Sequence, residues 1–409
     1  MLIEQVYLGD AMLAGRGKPC KPAWESDQLD SPHPPEIEPA YFDEALDAWV
    51  LSRHTDVLAA FHSSNLAPIG PNNNKEISAL PTEGSRLRMR IETSEALSPR
   101  QLRAWREKLE PEVDALVTSL PSEQPVDLIS EYARPLCLTL AAMVTCIPMQ
   151  DAANLQDRAQ EVSAASAEPY DSALRSRAKS ASAELRECFH SGPEALRDSG
   201  FVALSQTMPS ILGNAWFALS QHPEEWLLMH RQPDLTERGI EELLRYAGLP
   251  RLLLRRATSD VNLNGALICK GERVILRVIA ANNDPERIPH PNHVDVRRQG
   301  VKHLTLGAGS HRCVGSGLIR MAAVTITRPL LKRFGRASLV SFLAIWPPLI
   351  LIAITHLRWT FWPCPQCGRP FQMTWLGNRW FSRRCVHCGL PKWELPVEAK
   401  GKPPSLDEF

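Results

Sequence analysis

One stretch of ten residues, Leu306-Gly307-Ala308-Gly309-Ser310-His311-Arg312-Cys313-Val314-Gly315, restricts the fold of this chain more than any other. It holds one cysteine, one histidine, one arginine and three glycines. Leu318, Ile319, Met321, Ala322 and Val324 follow at spacings that suit a helix. The pattern predicts a glycine-rich loop that runs into a helix, with Cys313 near the junction. A thiol there meets free backbone N–H groups and the positive end of the helix dipole, and both favour thiolate. Such a thiolate can ligate a haem iron. Gly307 and Gly309 let the backbone approach a flat cofactor, and His311 and Arg312 suit its acidic groups. Two plainer readings compete. A buried cysteine is often a small hydrophobe. A Gly-x-Gly turn can also serve dinucleotide binding, although Arg312 stands where a third glycine is needed.

The whole ten-residue pattern resembles the haem-binding loop of the cytochrome P450 family, Phe-x-x-Gly-x-His/Arg-x-Cys-x-Gly. Gly309, His311, Cys313 and Gly315 are in register, while Leu306 replaces the phenylalanine. Further motifs follow the family's order. Ile240-Glu241-Glu242-Leu243-Leu244-Arg245 places Glu242 and Arg245 three apart on one helix face. Alone, Glu-x-x-Arg is common and of little energetic weight. The resemblance implies that Glu242 and Arg245 pair with a later arginine, here Arg298, to support the cofactor side of the core. It also implies propionate contacts from Arg88, Arg256 and His311, with Gly84 in the place of a histidine that usually precedes the arginine. Gly200 to His222 reads as an apolar helix, and in it Ala203-Leu204-Ser205-Gln206-Thr207 aligns with the family's oxygen-binding segment. Thr207 fits the threonine that hydrogen-bonds oxygen. Leu204 replaces a glycine and Gln206 replaces an acid. Glutamine cannot ionise, so proton delivery would need water or another group. Asn283 replaces an arginine in the family's Asn-Arg-Asp-Pro turn.

The fold implied is mainly α with small β-sheets, an α+β arrangement like that of cytochrome P450. The divisions expected are an irregular leader at 1–37, a haem domain at 38–335, a transmembrane segment at 337–357, a zinc-ribbon-like module at 360–396 and a flexible tail at 397–409. Elements expected within the haem domain are a strand at 48–51, helices at 55–61, 126–144, 152–167 and 181–189, and a helix opening at Ser98-Pro99. Met1 to Gly15 shows no cleavable signal peptide.

Residues 337–357 carry no charged side chain and are long enough to cross a bilayer core. Pro347-Pro348 would kink such a helix, and a re-entrant or buried segment is the alternative. Cys364, Cys367, Cys385 and Cys388 form two Cys-x-x-Cys pairs, a spacing that suits four-thiolate structural zinc. A disulfide or redox set is the competing reading.

The formal net charge is zero, and no block of like charge argues for nucleic acid. By resemblance the chain is a haem-thiolate monooxygenase, an oxidoreductase that uses haem b to insert one oxygen atom into a small organic substrate. It carries no flavin or iron–sulfur motif, so electrons come from a separate ferredoxin- or flavodoxin-like protein. The span places it at a membrane with the haem domain on the cytoplasmic side. The altered residues 204 and 206 leave two alternatives: a catalytically impaired haem-binding protein, or a membrane-anchored zinc-ribbon interaction protein fused to a decayed domain.

Overall fold

The computed structural model describes residues 37–335, except 45, 69–82, 123, 168–171, 190–195, 301 and 310–311, and in addition residues 373–374 and 377–378. The chain divides into two compact units, Met1–Ser338 and Leu339–Phe409.

The first unit opens with β1 (Tyr41–Asp43), β2 (Ala48–Leu51), α1 (His54–His62) and β3 (Leu66–Pro68). Helices α2 (Glu83–Ala96), α3 (Pro99–Ser119), α4 (Arg134–Thr145), α5 (Met149–Asn154), α6 (Gln156–Ala167) and α7 (Ser172–Cys188) follow. Next come α8 (Asp198–Val202), α9 (Met208–Gln221), α10 (Pro223–Arg231) and α11 (Thr236–Ala247). The chain then returns to strands β4 (Leu252–Ala257), β5 (Val261–Leu263), β6 (Ala266–Ile268) and β7 (Arg273–Arg277) before α12 (Val278–Asn282) and α13 (Ser316–Arg333). Five strands form one sheet in the order β1-β2-β7-β4-β3. Only β2 and β7 run parallel within it. Strands β5 and β6 form a hairpin, and its turn places Asn264 at φ 50° and Gly265 at φ 97°. Two successive left-handed residues are what a two-residue primed turn requires.

Two apolar clusters result. The larger joins helices α3, α4, α9, α11 and α13. Trp105, Leu109, Val113 and Val117 enter it from α3 at the spacing of one helix face. The smaller lies between the sheet and α1, with Leu51, Phe61, Leu66, Ala257 and Val274 at its centre. Polar ties fix α13 in the larger cluster. The Tyr132 hydroxyl donates to the Ile326 carbonyl at 2.8 Å, and Trp216 Nε1 donates to Thr327 Oγ1 at 3.1 Å. Arg333 donates to the carbonyls of Val117 and Leu120, which locks the ends of α13 and α3 together.

The helices expected at 126–144 and 200–222 are both present, but neither is α-helical throughout. Residues Ile129–Ala133 and Ala203–Thr207 are π-helical. Each segment ends two residues before a proline, Pro135 or Pro209. Proline lacks an N–H, and its ring crowds the carbonyl four residues back. Widening the preceding turn relieves that crowding. Thus Arg134 N–H donates to Ile129 O and Met208 N–H to Ala203 O, each five residues back. The two distorted helices also touch. A Cβ at Gly213 would lie 2.3 Å from Ile129 Cδ1, so glycine lets that side chain reach the helix without shifting. Other boundaries shift: the helix expected at 181–189 begins at Ser172, and that expected at 152–167 divides at Leu155.

Among the described residues, no helix is long and apolar enough to cross a membrane. The span expected at 337–357 and the zinc cysteines Cys364, Cys367, Cys385 and Cys388 lie outside the described residues. In the second unit Met373–Thr374 pairs antiparallel with Gly377–Asn378.

Candidate functional site

The cysteine loop leaves α12 and the surface turns behind it and enters α13 at Ser316. Its backbone folds on itself: Gly307 N–H donates to Leu304 O at 2.8 Å, and Cys313 N–H donates to Leu306 O at 2.7 Å. Gly307 and Gly309 have φ of 69° and 57°, which bulkier residues rarely adopt. Gly309 is needed for space as well. A Cβ there would lie 2.7 Å from His62 Nδ1 and 3.2 Å from Phe61 O. Leu306 and Cys313 pack on the helical cluster, while Leu304 and Ala308 pack on the sheet cluster. The loop therefore bridges the two cores. Ser310 and His311 lie outside the described residues.

Cys313 is half-buried. Burial pushes its thiol above the ordinary value; a hydrogen bond from the Gly315 backbone and the charges of Arg320, Arg90 and Arg312 pull the other way and only partly offset it. In the cofactor-free loop, desolvation of an anion outweighs the few N–H groups that face the thiol. A Cβ on Gly315 would sit 3.7 Å from Sγ, in ordinary contact.

Arg90 reaches the loop and donates to the Arg312 carbonyl at 3.0 Å. Sequence reasoning chose Arg88, whose side chain lies outside the described set. Positions two apart on a helix are separated by about 200° around its axis, so the two arginine positions do not share a face.

Behind the loop stands a polar frame. Arg245 makes a two-pronged pair with Glu242, both contacts at 2.8 Å, and Arg298 Nε donates to Glu242 Oε1 at 3.1 Å. The Glu242 and Arg245 side chains are 1% and 0% exposed, so water screens this pair little. Arg298 also donates to the carbonyls of Pro289, His290 and His293. Arg245 Nη1 donates to Asn282 O and to Asn283 Oδ1, each at 3.0 Å. Asn282 in turn receives Leu304 N–H at 2.7 Å and donates to Thr305 Oγ1 at 2.8 Å. Leu304 O then receives Gly307 N–H. Four steps thus connect Glu242 to the cysteine loop. Asn283 is buried and joins the frame even though it replaces the arginine expected there. A neighbouring ion pair ties α11 to α13: Glu241 receives two bonds from Arg320, at 2.5 and 3.0 Å, and faces His303 at 3.3 Å.

Arg255 went unnoticed in the sequence. It alternates with Leu253 and Ala257 along β4, is buried, and its Nε has no hydrogen-bond partner. Its guanidinium lies 5.9 Å from the Phe61 ring centroid, and the Phe61 carbonyl abuts Gly309. Burial pushes its pKa down to about 10. Arg256, the sequence choice, lies second from the end of β4 rather than at its start, and it donates to the Gly271 carbonyl at 3.1 Å. The signal that separates them is strand alternation: Ala257 and Arg255 point to one face and Arg256 to the other.

On the central helix, Leu204 is buried, and Gln206 and Thr207 are half-buried. Gln206 Nε2 lies 3.5 Å from Ser205 Oγ. All three residues belong to the π-helical turn, a distortion frequently found at functional sites. Leu204 and Cys313 border the same helical cluster.

The family model Cytochrome P450 matches residues 225–340. The chain is 27% identical over 274 residues to cytochrome P450 CYP107DY1 of Priestia megaterium, covering 60% of this chain and 67% of that one. It is 27% identical over 329 residues to nocardicin C N-oxygenase of Nocardia uniformis subsp. tsuyamanensis, covering 70% and 82%. Among solved structures, P450BioI bound to an acyl carrier protein carrying hexadec-9Z-enoic acid superposes with a TM-score of 0.65 at 23% identity, covering 72% of this chain and 87% of that one. That likeness carries the fold alone. The family model and the homologues together support assignment of this chain to the cytochrome P450 family, and the relatives support a haem-thiolate monooxygenase.

Proposed function

We propose that the chain is a haem-thiolate monooxygenase that inserts one oxygen atom from O2 into a small organic substrate, with electrons from a separate ferredoxin- or flavodoxin-like donor. The observation that carries this is the cysteine loop held on the Glu242–Arg245–Arg298 frame. Haem fits the residues present: Cys313 stands at the loop end, glycines leave its backbone uncovered, and Arg255 offers a buried cation without an anion. When bound, haem supplies the redox chemistry of O2 activation.

The chain's own residues take these roles. Cys313 would hold the haem iron through its sulfur. Metal coordination deprotonates a thiol outright, so the raised value describes the metal-free loop. The Gly315 backbone and the charges of Arg320, Arg90 and Arg312 then favour its negative charge. Gly307, Gly309 and Gly315 keep the loop close to the ring. Arg255 pairs with a propionate, a role that its burial beside Phe61 suits better than Arg256, which takes the opposite face of β4. Arg88 and His311 remain candidates for the same duty. Thr207 orients oxygen, and the Gln206 amide holds water that delivers protons, since it has none of its own to release at neutral pH.

The membrane association through 337–357, the cytoplasmic-side placement of the haem domain and the structural zinc on Cys364, Cys367, Cys385 and Cys388 belong to this reading too, on sequence grounds. Zinc content of the purified chain tests the last of these. The central test is the carbon-monoxide difference spectrum of the reduced protein. A thiolate-type Soret band that is absent in Cys313→Ala is expected; a band unchanged by that substitution overturns the assignment.

A further inference from the structure

On the far side of the polar frame, His222, Glu224 and His293 converge. One ligand atom from each lies within 4.8 Å of the others. His222 closes α9, Glu224 is in the first turn of α10, and His293 sits in the turns after α12. We propose that these three side chains form a second metal site, for zinc or a similar first-row divalent ion, distinct from the cysteine loop and from the four C-terminal cysteines.

The chemistry of the donors selects the ion. Two imidazoles and one carboxylate suit zinc, whereas magnesium and calcium take oxygen ligands. Tetrahedral zinc places its ligand atoms roughly 3.4 Å apart, from bond lengths near 2.1 Å. His222 Nδ1 and Glu224 Oε1 are already 3.6 Å apart. Glu224 is 58% exposed and His293 is on the surface, so both can rotate the remaining distance. Three protein ligands leave a fourth position for water.

The set is prepared by its surroundings. The His222 side chain is only 16% exposed. Its ring stands edge-on to Tyr246, 5.9 Å between centroids at 89°, and lies 5.3 Å from the His293 ring. Tyr246 itself lies under the Arg245 guanidinium, 5.7 Å to the centroid. The His293 backbone is pinned separately, because its carbonyl receives bonds from Arg298 and Arg245. The ring is thereby left free to ligate while its main chain stays fixed. A bound ion would clasp the α9–α10 junction to the segment that carries Arg298.

The test uses the full-length protein, stripped of metal with chelator and titrated with zinc chloride, with stoichiometry read by elemental analysis and stability by thermal melting. His293→Ala keeps the backbone carbonyl contacts. It is expected to bind one zinc fewer, or to bind that zinc at least tenfold more weakly, and to lose the zinc-dependent part of the melting rise. Glu224→Gln is expected to weaken the same zinc about tenfold. Wild-type stoichiometry and affinity in both variants overturns the proposal. So does a zinc effect that disappears only in Cys364→Ser. Neither result bears on the haem reading, which is scored by the Soret spectrum.

Discussion

The cysteine loop and the central helix border one helical core, yet they are held by opposite means. The loop side is fixed by polar bonds: one buried carboxylate, two guanidiniums and two asparagines lead to its backbone. The central-helix side is shaped by backbone sterics, a π-turn forced ahead of Pro209 and a close approach at Gly213. A polar frame specifies residue identities tightly, because each donor left alone underground is costly. A steric bend constrains the backbone and specifies the identities of its side chains less tightly. That difference accounts for the intact Glu242, Arg245 and Arg298 beside the replaced residues Leu204 and Gln206.

Five outcomes would sharpen or break this contrast. The largest effect is expected at Cys313: Cys313→Ala should abolish the thiolate-type Soret band entirely, while the frame keeps the apoprotein folded by circular dichroism. Next, Glu242→Ala leaves two cations facing each other with Arg245 fully buried, which should cost about 3–5 kcal/mol in denaturant unfolding. A cost below about 1 kcal/mol would show that the frame is not what secures the loop side. On the other side, Gln206→Glu should raise substrate-coupled oxygen consumption about tenfold or more, since it restores an ionisable group to the π-turn. No change would mean that protons reach the site without position 206.

Arg255 provides a test in which two readouts move in opposite directions. Arg255→Met removes a buried cation bonded to the Leu254 carbonyl but to no carboxylate, so the haem-free protein should become more stable by about 1 kcal/mol. Haem should nevertheless dissociate about tenfold faster, because a charge-assisted bond is lost. Arg256→Met should do neither.

The smallest effect concerns acid. Glu241 is held at about 2, with burial acting to raise it and the bonds from His303 and Arg320 prevailing. Its charged form therefore contributes stability above the ordinary value of 4.5, and that contribution is lost as pH falls from there through about 2. The carboxylate is partly exposed, which keeps the effect modest. Glu241→Gln should flatten this part of an acid-unfolding curve.

The residues most legible in the sequence were those whose role depends on spacing. Cys313 with its glycines, and Glu242 with Arg245, stand at fixed separations along one element, so chain order preserves their geometry. What was missed depends on which face a side chain takes. Arg255 and Arg256 are adjacent in sequence and opposite in space, and only the alternation through Ala257 distinguishes them. Arg88 and Arg90 pose the same difficulty with helical period. The π-turns had a visible signal in Pro135 and Pro209, but a proline near a helix start usually marks the first turn, and that reading hides a distorted turn before it. Asn282 escaped notice because its partners, Leu304 and Arg245, come from distant segments.

The anchoring of Leu304 by Asn282 has a consequence for how this chain can vary in length. Gln299 and Gly300 are exposed, and Gly300 adopts φ 72° with open space where a Cβ would be. Added residues there lengthen a segment whose ends are already fixed, at a small entropic cost. The register of Cys313 is counted from Leu304 rather than from the end of α12. Insertions near Gly300 should thus leave the cysteine where it is, whereas one extra residue between Leu306 and Cys313 would displace it. Tolerance of added residues in this chain should therefore fall on one side of a single asparagine.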